Sequence, residues 1–202
     1  MQEQPLDPKV FRQTIGRFAT GVTIITARHG DLIHGMTANA VSSLSIDPLL
    51  ILICIDRRAK MLDVISNASH FAVNVLSDHQ ESLSRHFSGA GHGAPPPPEL
   101  RFEDGDGPPL IAGALARLTC TLDAVLPGGD HLIFTGKVLD CYMAEDHVKP
   151  LLFFKGRYHH LQSPDVASHK ASEPWLNDSV SVYHEDWPDP LLRVLAGDEL
   201  LP

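Results

Sequence analysis

Strand-length runs follow one another along this chain without a helix in every interval, and that order constrains the fold more than any other feature. Residues 22–27 (VTIITA) are rich in β-branched side chains and read as a strand. His29-Gly30-Asp31 is a turn, and residues 32–40 begin a partner strand, which makes a hairpin. Residues 49–55 form an unbroken apolar run of strand length, the pattern of a strand buried on both faces. Residues 70–76 (HFAVNVL) alternate in polarity. Residues 118–126 and 131–143 flank the turn Pro127-Gly128-Gly129-Asp130, and residues 151–161 read as a last strand bent at Gly156. The total is about six or seven strands, mostly sequential. A doubly wound parallel sheet needs strands and helices in regular alternation. The expectation is therefore a mainly β, closed antiparallel barrel with a few peripheral helices.

Three segments have helical character. Residues 7–20 carry Val10, Phe11, Ile15 and Phe18 on one face, with Asp7 as cap, Pro8 in the first turn and Gly21 as stop. Residues 61–67 and 77–87 are the others, the latter turning Leu83 and Phe87 inward. Residues 88–98 (SGAGHGAPPPP) read as a loop followed by polyproline. After residue 162 the composition shifts to Ser, Pro, Asp and His. The barrel domain is assigned to 1–162 and an appendage to 163–202, with a short amphipathic helix over 191–201.

The net charge of −9 argues against nucleic acid and against an anionic membrane surface. Neither a secretion signal at the N-terminus nor a bilayer-length apolar run is visible, so a cytoplasmic location is expected. Three cysteines without a CxxC pair read as reduced thiols, buried at Cys54 and Cys120. No GxGxxG, P-loop or GxSxG string is present. The histidines lack metal-ligand spacing, so no metal is expected.

Seven strings occur in order: FATGVTIITA (18–27), GMTANAVSSLS (35–45), IDRRAKM (55–61), FAVNVL (71–76), RHFSG (85–89), GDHLIFTGKVL (129–139) and LLFFKGRYHHL (151–161). Together they make the chain, over about residues 10–161, resemble the short flavin reductases that serve two-component monooxygenases such as 4-hydroxyphenylacetate hydroxylase. The resemblance implies an antiparallel Greek-key split β-barrel, a homodimer, and flavin at the subunit interface. It implies hydride transfer from NADH or NADPH to FMN or FAD, with the reduced flavin passed to a partner monooxygenase. Two other readings stay open: reduction of a cobalt corrinoid or ferric complex through flavin, and a non-catalytic flavin- or haem-binding carrier.

A flavin needs a flat slot, donors at its N1–C2=O edge and a site for its phosphate. Residues 36–43 mix small and hydroxyl side chains where a core strand would place large apolar ones. The resemblance puts Met36, Thr37, Ala38, Asn39, Ser42 and Ser43 around the flavin; an edge strand with a polar face is the other reading. Asp56-Arg57-Arg58-Ala59-Lys60 joins three cations to a helix start, which suits a phosphate. A solvated basic turn is the alternative, and Ala59 stands where the family often has Ser. Arg85, His86 and Phe87 fall where relatives have residues near the flavin or its adenylate extension, although Phe87 also suits ordinary core. His131 matches the family's nicotinamide-positioning His and is the main active-site candidate; a surface-turn His is the bland reading. Tyr158 is expected against the flavin or nicotinamide edge, and Arg157 near a phosphate.

Overall fold

The computed structural model describes residues 6–90 and 95–161. The appendage assigned to 163–202 and its helix lie outside them. Among the described residues there are ten strands rather than six or seven: β1 (Thr20–Gly21), β2 (Thr23–His29), β3 (Leu32–Ala38), β4 (Val41–Ile46), β5 (Leu49–Asp56), β6 (His70–Val75), β7 (Ala116–Gly128), β8 (His131–Met143), β9 (Leu151–Phe154) and β10 (Arg157–His160). Three α-helices accompany them: α1 (Pro8–Ile15), α2 (Lys60–Ala68) and α3 (Glu81–Arg85).

Seven strands make one antiparallel sheet in the order β3-β2-β6-β7-β8-β5-β4. Laid flat, seven strands would hold their edges about 29 Å apart. Yet the edge strands β3 and β4 are consecutive in the chain, and Ala38 and Val41 can be at most about 11 Å apart. The sheet must therefore curl until its edges meet at the corner Asn39-Ala40. Bulges in the β7–β8 hairpin, between Thr119 and Cys120 and between Leu122 and Ala124, supply bends. A smaller sheet, β1-β9-β10, adjoins the barrel where Val22 donates to the Leu151 carbonyl and Leu151 to that of Leu76.

Curling decides which faces are buried. Ile51, Ile53 and Ile55 of β5 point inward and are buried, while Leu50, Leu52 and Cys54 on the outer face are only half-covered. The expectation of two-sided burial thus fails, because a rolled sheet seals only its inside. Helix α2 packs Met61, Val64 and Ile65 into the same core as Phe71, Val73, Cys120 and Phe134. A second core joins Val22, Ile24, Leu76, Leu83, Ile111 and Leu151 under the smaller sheet.

Three further elements depart from the sequence reading. Helix α1 stops at Ile15 with Gly16 as its cap, because Thr20 and Gly21 pair with Phe153 and Leu152. None of its residues is buried, and Phe18 beyond it is 72% exposed, so the apolar stripe does not rest on the chain's own barrel. The segment 77–87 breaks into a 3₁₀ turn (78–80), α3 and a π turn (86–90) in which Gly89 takes φ +82°. Residues 151–161 are a hairpin, not one bent strand: Lys155 and Gly156, at φ +49° and +75°, make a two-residue turn of left-handed backbone.

Burial pushes the Cys120 thiol up to about 12. At mildly alkaline pH an aromatic disulfide reagent should leave Cys120 unmodified in the native protein, while Cys141 is exposed and open to it. Mass spectrometry of the labelled chain checks this; native labelling of Cys120 would contradict the packing described.

Candidate active site

The corner where the barrel closes is also where small polar residues reach the surface. A cleft of about 160 Å³ opens there. It is lined by Thr37 and Ala38 of β3, Asn39 of the corner, Ser88 of the π turn, Phe153 of β9, Tyr158 of β10, and Val22. Four of the expected flavin residues, Thr37, Ala38, Asn39 and Tyr158, therefore do meet. Met36 instead packs half-buried against the main core. Ser42 and Ser43 are exposed on β4, the Ser42 hydroxyl donating to the Ser43 carbonyl, and neither lines the cleft. The corner Asn39-Ala40 divides 36–43 between β3 and β4, so the run does not face one slot as a unit.

The cleft walls are held by specific bonds. Thr37 Oγ1 donates to the Ser84 carbonyl at 2.7 Å, and Ser84 Oγ meets the Tyr158 hydroxyl at 2.8 Å. The Arg85 guanidinium sits 4.8 Å above the Tyr158 ring and is tied to Glu81 by Nε at 2.8 Å. Phe87 lies over Gly35, where an added Cβ would come within 2.5 Å of its ring. It also packs on the second core, and His86 meets it edge to face at 5.0 Å. Phe87 and His86 thus back the site and are not among the cleft-lining residues. Arg157 is exposed.

The basic turn lies on the other side of the corner. Val41 pairs with Ile53 and Cys54 donates to the Ala40 carbonyl, so the corner runs beside the end of β5, where Asp56 begins the turn. Asp56 in turn stands opposite His131. Arg57 donates through its backbone to the Asp130 carbonyl at 3.1 Å and through Nε to the Gly129 carbonyl at 2.9 Å. These bonds lace 56–58 to 129–131. Hydrogen bonds from the Arg58 side chain and backbone hold the Asp56 carboxyl well below the usual carboxylate range. His131 Nδ1 lies 2.8 Å from Asp130 Oδ1, which lowers the Asp130 carboxyl likewise. The His131 side chain stays 43% exposed. Arg58 is thus already committed to Asp56. Ala59 gives α2 no side-chain cap, and the Lys60 charge, second to burial, lowers the His34 imidazole pKa.

Sequence reasoning missed Val22, Ser88, Phe153 and the buried Ser84. Phe153 was findable, since it is the cross-strand partner of Tyr158; nothing local marks Ser84. Among the described residues the Thr20 hydroxyl is buried with no hydrogen-bond partner, directly across from Phe153 on the same face of the small sheet. Small Ala38, the flat rings of Phe153 and Tyr158, polar Asn39 and this orphaned hydroxyl fit the edge of a flat heteroaromatic ring with polar atoms. Among the described residues, no group of three His, Cys, Asp or Glu is placed to hold a metal, and no helix is long and apolar enough to cross a membrane.

Comparison with known families matches residues 15–162 to the flavin reductase like domain. The chain belongs to the flavin reductase family. Among curated flavin reductases, an NADH-dependent flavin reductase of Rhodococcus is 42% identical over 164 residues, covering 78% of this chain and 90% of that protein. The 4-hydroxyphenylacetate 3-monooxygenase reductase component of Thermus thermophilus is 39% identical over 156 residues, covering 77% of this chain and 98% of that protein. A solved flavin reductase relative, the NADH:FAD oxidoreductase of Streptomyces globisporus in complex with NAD and FAD fragments, superposes with a TM-score of 0.71 at 37% identity, covering 81% of this chain and 99% of that one.

Proposed function

We propose that this chain is an NAD(P)H:flavin oxidoreductase that moves hydride from a nicotinamide to FMN or FAD and supplies the reduced flavin to a monooxygenase. The observation that carries the reading is the cleft of Thr37, Ala38, Asn39, Phe153 and Tyr158, found in a chain 42% identical to an NADH-dependent flavin reductase. Bound flavin supplies the hydride acceptor at N5, with negative charge gathering at its N1–C2=O edge. Thr37 and Asn39 offer polar groups toward that ring, and Ala38 lets it approach the backbone. His131, partly exposed and braced by Asp130, is the group proposed to position the nicotinamide; the transfer needs proximity rather than a strong base. Arg57, Lys60 and the uncapped start of α2 favour the flavin phosphate. Arg85 and His86 favour an adenylate extension.

A homodimer follows the same reasoning. The cleft is smaller than the roughly 300–1,000 Å³ usual for small-molecule sites, which supports a second copy as the surface that covers the rest of the ring. Val125, Leu126, Leu139 and Met143 on the long hairpin, with Val10 and Phe11 on α1, are exposed apolar groups suited to a second copy. The cytoplasm, which keeps thiols such as Cys54 and Cys120 reduced, suits the reaction.

Anaerobic steady-state assays of NADH and NADPH against FMN, FAD and riboflavin test the activity through loss of flavin absorbance. No turnover with any pair would end the proposal. In an active enzyme, His131→Ala should raise the KM for the nicotinamide about tenfold, the loss of about 1.4 kcal/mol, before flavin affinity changes. Flavin affinity falling first would move His131 out of the nicotinamide site.

A further inference from the structure

Ser84 is wholly buried and does not line the cleft, yet it holds two of its walls. Its carbonyl receives the Thr37 hydroxyl from β3 at 2.7 Å, and its own hydroxyl meets the Tyr158 phenol from β10 at 2.8 Å. β3 belongs to the barrel sheet and β10 to the small sheet, and no ladder joins the two strands. Ser84 on α3 therefore bridges two walls of the cleft. We infer that Ser84 is a positioning residue that sets the separation and orientation of Thr37 and Tyr158 across the ligand cleft, an inference that rests on the flavin reading above.

The Tyr158 ring is restrained at three places. Ser84 fixes its hydroxyl, the Arg85 guanidinium covers its face at 4.8 Å, and Phe153 meets it at 65° with centroids 5.4 Å apart. Arg85 is itself fixed by Glu81 one turn earlier on the same helix. Removing the Ser84 hydroxyl leaves the two ring contacts but frees the phenol to swing. A wall that must be ordered on binding costs affinity that a preordered wall does not. The carbonyl bond to Thr37 survives any side-chain change at Ser84, so Ser84→Ala cuts one arm of the bridge and spares the other.

The test is a double-mutant cycle in the full-length chain, read by equilibrium titration of FMN and FAD through flavin fluorescence and by the KM and kcat for NADH. Ser84→Ala and Tyr158→Phe should each weaken flavin binding about fivefold, the scale of one lost hydrogen bond. The double variant should be no weaker than the weaker single, since both changes delete one bond. The loss should fall on flavin affinity more than on kcat, the split expected when a wall must be ordered on binding. Losses that multiply in the double variant, or a Ser84→Ala affinity equal to wild type, would overturn the inference. If Ser84→Ala fails to fold, Tyr158→Phe, which removes a single oxygen, carries the test: unchanged flavin affinity there refutes it. A wild-type chain that neither binds nor reduces flavin would instead refute the parent reading.

Discussion

Asn74→Leu should lower the stability of the domain by about 3–4 kcal/mol and its melting temperature on the order of 10 °C. Asn74 is fully buried on β6. Its Nδ2 donates to the Ile24 carbonyl and to Thr26 Oγ1, each at 3.0 Å, and its Oδ1 accepts from the Ile111 backbone at 2.8 Å. Thr26 Oγ1 donates in turn to the Pro109 carbonyl. One amide thus ties β2, β6 and the segment before β7 together, and every polar group in the set has a partner. Leucine fills the volume but strands the Ile111 N–H in a dry interior, where an unmet donor costs about 1–3 kcal/mol. Thermal unfolding followed by circular dichroism checks the size. Limited proteolysis should show faster cleavage near 101–112. A shift below about 2 °C, under the roughly 2–4 °C expected for even 1 kcal/mol, would mean that the network contributes far less than its geometry implies.

Gly136→Ala is the second large effect. Gly136 sits mid-strand on β8, opposite Ile51 of β5 and Leu122 of β7. A Cβ there would overlap Phe71 Cζ, with Cε1 at 2.8 Å and the Cys120 Cβ at 3.1 Å. Phe71 is fully buried in the main core and has no room to retreat. Overpacking of this kind costs about 1–3 kcal/mol, or a fall of roughly 2–12 °C for a domain of this size. Gly136→Ala combined with Phe71→Leu should lose less than the sum of the two single changes, because each relieves the other. Strict additivity would show that the ring is not the obstacle.

The barrel was legible in the sequence because its signals are local. Periodicity and turn chemistry placed α2, β6 and the β8 boundaries to within a residue or so. The misses share one cause: the chain's partners in space. β4 was overlooked because VSSLSI lacks alternation and becomes a strand only by pairing with β5. Helix α1 was drawn too long because residues 20–21 are claimed by β9, far along the chain. In the site, Thr37, Ala38, Asn39 and Tyr158 do line one cleft, yet their neighbours Met36, Ser42 and Ser43 do not. Resemblance assigns a string as a whole, whereas the fold divides 36–43 between β3 and β4 at the corner Asn39-Ala40. Three cations at a helix start make 56–60 read as a phosphate cradle. Arg58 proves to be occupied by Asp56, and only the fold reveals such internal pairing.

The barrel is sewn shut along one line by covalent chain rather than by a ladder, since β3 and β4 each have a single neighbour in the sheet. Among the described residues, main-chain donors and acceptors on their open edges have no strand opposite them, and the cleft borders that line. Whatever spans the gap acts as a clasp, so occupancy and barrel integrity become thermodynamically linked. Amide exchange around 35–43 should then slow on ligation more than anywhere else in the sheet.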